Sequence, residues 1–138
     1  MSYFDMVRKF HEKFSLPVSG NETPRIVEDE VFQFRLQFLL EEVSELLSAH
    51  RACSIVEVAD SLADLIYVAC GTAHLYGIPL DEVFTEVHRS NMGKERASGD
   101  SDFRSKRSSW LDVVKPEGWT PPNIAGVLGI NQTNGGSK

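Results

Sequence analysis

Six carboxylates are crowded into one short stretch of the chain, Arg35 to Asp64, which reads RLQFLLEEVSELLSAHRACSIVEVADSLAD. Glu41, Glu42 and Glu45 follow the spacing EExxE, and Glu57, Asp60 and Asp64 fall at i, i+3 and i+7. Residues three or four apart share one helix face, so Glu42 and Glu45 point together with Glu41 beside Glu45. Glu57, Asp60 and Asp64 share another face. Two such stripes turned toward each other would gather five or six carboxylates into one volume. Like charges held that close repel unless a cation lies between them. Hard oxygen ligands without sulfur favour Mg²⁺, with Mn²⁺ able to substitute.

Acidic stripes are more often solvated helix faces than sites. Two features weigh against that here. The flanks Phe38, Leu39, Leu40, Leu46 and Leu47, and Leu62, Ala63, Leu65, Ile66, Tyr67 and Val68, are apolar nearly all round, the pattern of buried helices. Apart from Arg35, no basic residue lies one turn away to pair with either stripe, and a buried unpaired carboxylate calls for a metal. Arg35, seven residues before Glu42, is open to two uses, a phosphate or an ion pair with Glu41 or Glu42, since guanidinium suits both. Arg89, Asn91 and Lys94 lie within reach of one another in EVHRSNMGK, which fits an anionic, metal-chelated ligand such as a polyphosphate. It equally fits a plain helix C-terminus. The loop cations Arg96, Arg104, Lys106, Arg107 and Lys115 are dispersed and separately uninformative. Trp110 and Trp119 read as anchors pinning a tail.

The elements that must position these groups are helical. Ser2 with Asp5 forms a capping box for a first helix, Tyr3 to about Phe14. Thr23 followed by Pro24 reads as N-cap and N1 of a long second helix to about His50. Ser54 with Glu57 caps a third helix that runs to about Tyr76 and stops at Gly77. Pro79, Asp81 and Glu82 open a fourth helix ending near Lys94. Periodicity disappears over 95–117, PPNIAGVL supplies one short closing helix, and GINQTNGGSK reads as disordered. No alternating strand pattern survives. The expected fold is all-α, an antiparallel four-helix bundle with an irregular C-terminal tail. It forms one domain over 1–128 and a disordered tail over 129–138. The third helix is apolar enough to expect burial against a second subunit, in a homo-oligomeric dimer or tetramer.

The chain has 138 residues and a net charge of −6. That size suits a single core, and the charge argues against a general nucleic-acid binder. No apolar run approaches the roughly 20 residues that span a bilayer, and the start MSYFDMVRKF lacks a signal-peptide pattern. Two cysteines, Cys53 and Cys70, make neither a disulfide framework nor a zinc site. A cytoplasmic location is expected.

The runs LLEEVSEL, ADSLADLIYVACGTAHLYGIPLDEVFTEVHRSNMGK and KPEGWTPP resemble the all-α nucleoside triphosphate pyrophosphohydrolases, the MazG-like enzymes related to phosphoribosyl-ATP pyrophosphohydrolase and dimeric dUTPases. The resemblance covers roughly residues 5–125. It implies Mg²⁺-dependent cleavage between the α and β phosphorus of a nucleoside triphosphate, with two or more ions per site. By position, Glu41, Glu42 and Glu45 match the first-helix metal ligands, with Glu41 or Glu42 also the proton acceptor, and Asp64 matches the Asp of an ExxD motif. The Glu of that motif falls on Ser61, a departure. Asp60 is the expected replacement ligand, with Glu57 in reserve. Asn91 and Lys94 match phosphate-binding positions, Lys115 is expected to reach a phosphate of its own or a neighbouring subunit, and Arg35 is a further phosphate candidate. The motifs HRSNMxK and KPxGWxPP resemble phage-associated members acting on deoxynucleoside triphosphates, which implies a deoxypurine, dGTP foremost. dUTP or a broad deoxynucleotide pool fits equally. Phe10, Phe14, Phe34 and Val18 to Asn21 are candidates for contact with the base.

A di-iron carboxylate bundle is set aside, because it needs Glu-x-x-His pairs and no Glu here has a His three residues on. A non-catalytic helical interaction module remains the other reading. Glu45→Ala and Asp64→Ala should abolish turnover yet keep or raise metal-free stability, because like-charge repulsion is relieved. Wild-type nucleotide hydrolysis by either variant would remove the site assignment.

Overall fold

The computed structural model describes residues 1–131 and resolves into two compact units, Met1–Asp81 and the chain from Glu82 onward. Its helices are α1 (Tyr3–Lys13), α2 (Asp29–Arg51), α3 (Ile55–Tyr76), α4 (Leu80–Met92) and α5 (Ile124–Leu128); β1 (Glu95–Arg96) and β2 (Val113–Val114) form one small antiparallel pair. The fold is all-α, as the sequence predicts. The expected tail, 129–138, lies from residue 132 onward outside the described residues.

Local chemistry sets most helix ends. Ser2 accepts from the Asp5 backbone N–H while Asp5 accepts from that of Ser2, a complete capping box. Ser54 accepts from the Glu57 N–H, and Gly77 ends α3 with φ +70°, the left-handed conformation that favours glycine. The second helix departs from expectation. Thr23–Pro24 does not start it; α2 begins at Asp29, with Glu28 as an N-cap that makes no side-chain cap bond. The reason is tertiary. The Arg25 N–H donates to the Tyr76 carbonyl at the end of α3 and Val27 is buried, so this segment runs along α3 instead of coiling.

The turn at Ala52–Ser54 folds α2 back along α3. Arg35 meets Thr72 while Glu42 lies near Asp64, so the two helices are antiparallel. Helix α1 packs on the other flank of α3, and Phe4, Val7, Cys70 and Ala73 form a buried cluster with Ile78 and Leu80 beside it. Its polar members are satisfied. His74 is 1% exposed, stacks on Phe4 at 3.8 Å and receives the Ser19 N–H on Nδ1, so its Nε2 carries the proton and donates to the Phe4 carbonyl. Burial lowers its pKa and keeps the ring neutral.

Gly71 is where α1, α2 and α3 meet. A Cβ there would stand 2.6 Å from Arg35 Nη2 and 3.0 Å from His11 Nε2. Arg35, buried on α2, donates to the Val68 carbonyl (2.9 Å) and the Thr72 hydroxyl (3.1 Å), while His11 Nδ1 lies 2.7 Å from the Pro17 carbonyl.

In the second unit Asp102 accepts from the Ser98 N–H and from Arg104, and Asp112 accepts from Ser105, Arg107 and the Val113 N–H. The Trp119 indole N–H donates to the Ser90 carbonyl, the anchoring expected of it. Residues 95–117, which show no strand periodicity, nevertheless pair Glu95 with Val114 and Arg96 with Val113. Two residues per strand are too few to leave an alternating pattern. The short closing helix forms as expected, capped by Asn123.

One expectation about burial is corrected. The apolar flanks of the acidic stripes are not enclosed within the single chain: Leu40, Leu47, Leu62, Ile66 and Tyr67 are all exposed.

Gly71→Ala gains about 1 kcal/mol of helix propensity but overpacks the crossing, at about 1–3 kcal/mol. Because Arg35 is held by two hydrogen bonds, the loss should win, giving a melting temperature several degrees below wild type. A rise in melting temperature would mean that Arg35 and His11 yield freely.

Candidate functional site

The antiparallel run of α2 against α3 converts two separate stripes into one cluster. Carboxylate oxygens of Glu42, Glu45 and Asp64 lie within 4.8 Å of one another. Glu42 is the enclosed member, 7% exposed, and its Oε2 has no hydrogen-bond partner. Burial raises the Glu42 pKa first, and the charges of Glu45, Asp64, Glu41 and Asp60 raise it further. A buried carboxylate oxygen without a donor is a costly arrangement, and the charges of Glu45, Asp64, Glu41 and Asp60 that act on it are all of its own sign. A hard divalent cation fits this donor set.

The remaining candidates are distributed as follows. Glu41 is exposed and takes a hydrogen bond from Gln37 at 3.4 Å. Asp60 is exposed yet close enough to act on the Glu42 charge, whereas Glu57 is exposed and outside the cluster. Ser61, where the resemblance implies a Glu, is buried at 4%. Arg35 forms no ion pair with Glu41 or Glu42 among the described residues. Its guanidinium is committed to Val68 and Thr72, and burial lowers its pKa. Phe34, Gln37, Phe38 and Glu41 line a shallow cleft of about 220 Å³, with the two phenyl rings tilted at 6.3 Å. Val18 to Asn21 belong to a loop held from behind, since Arg8 donates to the Ser19 carbonyl and Ser19 to His74.

Asn91, Lys94 and Lys115 belong to the second unit. Asn91 is exposed near the end of α4, and the Lys94 and Lys115 ammoniums lie 5.8 Å and 4.5 Å from the centre of the Trp119 ring. Both lysines line a cavity together with Arg104, Lys106 and Arg107. Sequence reasoning missed this convergence. The five cations are spread between 94 and 115 without helical or strand period, and only the β1–β2 pairing brings them together.

A model of the phosphoribosyl-ATP pyrophosphohydrolase family matches residues 7–91, which run from within α1 through most of α4 and include every carboxylate of the cluster. The chain belongs to this family. Lys94, the β pair and Lys115 fall beyond the matched residues. The chain is also similar to uncharacterized protein L479 of Acanthamoeba polyphaga mimivirus, 29% identical over 80 residues, which is 56% of this chain. The match spans only 32% of that protein's length.

Glu42→Gln keeps the side-chain shape and removes the charge. Since the folded-state Glu42 pKa is raised, its ionisation opposes folding above that pKa, and the penalty fades as pH falls through it. In EDTA at pH 7.5 the Gln variant should therefore melt above wild type, and the gap should close on acidification. A gap that stays constant from pH 7.5 to 4 would mean that charge repulsion is not its source.

Proposed function

We propose that the chain is a divalent-metal-dependent nucleoside triphosphate pyrophosphohydrolase that cleaves a deoxynucleoside triphosphate between its α and β phosphates, releasing the monophosphate and pyrophosphate. The observation that carries this reading is the partnerless Glu42 Oε2 inside the Glu42–Glu45–Asp64 cluster, in a chain of the phosphoribosyl-ATP pyrophosphohydrolase family.

Glu42, Glu45 and Asp64 would hold Mg²⁺ or Mn²⁺, with Glu41 and Asp60 at the margin able to complete a site for more than one ion. When bound, such ions neutralise a triphosphate and make a water more acidic. Glu41, exposed and lightly hydrogen-bonded, is the carboxylate free to take the proton from the attacking water. The water oxygen bonds to the α phosphorus, the bond from that phosphorus to the α–β bridging oxygen breaks, and the electron pair leaves with pyrophosphate. Asn91, Lys94 and Lys115 are assigned to the phosphates. Arg35 is assigned to the helix scaffold, because burial and its hydrogen bonds to Thr72 and Val68 hold its guanidinium against α3.

The cleft of Phe34, Gln37 and Phe38 adjoins the cluster through Glu41 and offers ring faces and one amide to a base. A deoxypurine triphosphate, dGTP foremost, is the proposed substrate. Its support is the resemblance carried by HRSNMGK and KPEGWTPP; dUTP or a broader pool is the alternative that the substrate panel decides. The exposed Leu40, Leu47, Leu62 and Ile66 support assembly into a homo-oligomer. Among the described residues no helix is long and apolar enough to cross a membrane.

Pyrophosphate release from the eight common nucleoside and deoxynucleoside triphosphates, with and without Mg²⁺ or Mn²⁺, tests the reading. Metal-dependent release from one or a few substrates is expected, along with stabilisation by metal alone of about 2.7 kcal/mol at a hundredfold excess over its Kd. That stabilisation should be absent in Glu45→Gln. No release from any substrate by a folded protein would hand the chain to the rival class, a non-catalytic helical module.

A further inference from the structure

The second unit contains a pocket of opposite character to the acidic cluster. Lys94, Arg104, Lys106, Arg107 and Lys115 line a cavity of about 250 Å³, with Val113 and Val114 of β2 and Asp112 as the one carboxylate in its wall. The cations are unevenly compensated. Arg104 is paired with Asp102 and Glu95, and Arg107 with Asp112. Lys94 and Lys115 face the Trp119 ring, which attracts cations but carries no net charge, and Lys106 has no carboxylate partner among the described residues. Three ammoniums around one small cavity repel one another, and a multivalent anion removes that repulsion.

The frame around them is fixed. Asp102 and Asp112 are buried and each accepts several hydrogen bonds, Val114 is 2% exposed, and Trp119 is anchored to Ser90. The backbone that carries the cations is therefore set in place before any ligand binds. The chemistry of the wall also limits the ligand. No aromatic residue lines the cavity to stack on a base, and its volume lies below the about 300–1,000 Å³ of pockets for drug-sized ligands. Guanidinium forks and ammoniums around a small polar cavity suit phosphate oxygens.

We infer that this pocket is a metal-independent binding site for a linear di- or triphosphate anion, with Lys106 and Arg107 as its new ligands beside Lys94 and Lys115. The ligand class rests on the pyrophosphohydrolase reading, in which such a group is both the tail of the substrate and the released product. The residues that line the pocket all lie beyond the family match.

The test is calorimetric titration of the full chain in EDTA, where the carboxylate cluster has no metal through which to hold a phosphate. Inorganic pyrophosphate is compared with tripolyphosphate, an α,β-methylene deoxynucleoside triphosphate, a nucleoside monophosphate and sulfate at equal ionic strength. Pyrophosphate should bind at least tenfold more tightly than sulfate. The Lys106→Glu variant and the Lys106→Ala/Arg107→Ala double variant should lose at least tenfold in affinity, and Lys106→Arg should retain it with unchanged helical circular dichroism. If free pyrophosphate and the analogue bind equally, the phosphate chain is the ligand; if only the analogue binds, the pocket as stated is overturned. Pyrophosphate no tighter than sulfate, or wild-type affinity in Lys106→Glu, would overturn it as well. Hydrolysis measured in parallel separates the two readings. Turnover without pyrophosphate binding sinks the pocket alone, and pyrophosphate binding without turnover sinks the catalytic reading alone.

Discussion

Everything in the first unit depends on one close crossing, where α3 gives up a side chain at Gly71 and leaves that space to the side chains of Arg35 from α2 and His11 from α1. A charged residue buried this deeply must be satisfied. The Val68 carbonyl and the Thr72 hydroxyl satisfy it in part, at the place where both neighbouring helices must touch α3. The crossing fixes how α2 lies along α3 and therefore which residues face each other further along. Two turns on from Arg35, Glu42 arrives opposite Asp64 because Arg35 has already been placed opposite Thr72.

The acidic cluster is the element of the fold that works against folding. Glu42 is enclosed among Glu45, Asp64, Glu41 and Asp60, and the α2–α3 turn at Ala52–Ser54 holds them there regardless of their mutual repulsion. Local disagreement with an otherwise consistent structure is the mark of a site maintained for something other than stability. The neutral His74, stacked on Phe4 and bonded at both nitrogens, is the contrasting case of a buried titratable group whose surroundings leave nothing for a ligand to satisfy.

Much of this was legible in the sequence. Helical spacing put Glu42 and Glu45 on one face and Asp64 on another, and capping signals located the starts of α1 and α3, because these are short-range effects. What failed was long-range. Thr23–Pro24 is a sound N-terminal signal that loses to the pairing of Arg25 with Tyr76, and an ion pair of Arg35 with Glu41 or Glu42 gives way to Val68 and Thr72, which nothing in its spacing reveals. Apolar flanks suggested enclosure, yet Leu40, Leu62 and Ile66 stay exposed in one chain, since hydropathy reports what a residue prefers and not what covers it. Net charge misled in a similar way. A total of −6 conceals an acidic cluster on α2 and α3 and a basic pocket formed around β2, each strong because like charges are grouped.

Trp119 has a consequence of a different kind. One indole, tethered through its N–H to Ser90, lies against the ammoniums of both Lys94 and Lys115, which are far apart along the chain. The two lysines share a single aromatic ring, so the effect of replacing either depends on whether the other is present. The energetic effects of substitutions at these positions are therefore not additive. The ring joins Lys94, just past the end of α4, to two positions of the irregular segment that follows β2 as one energetic unit.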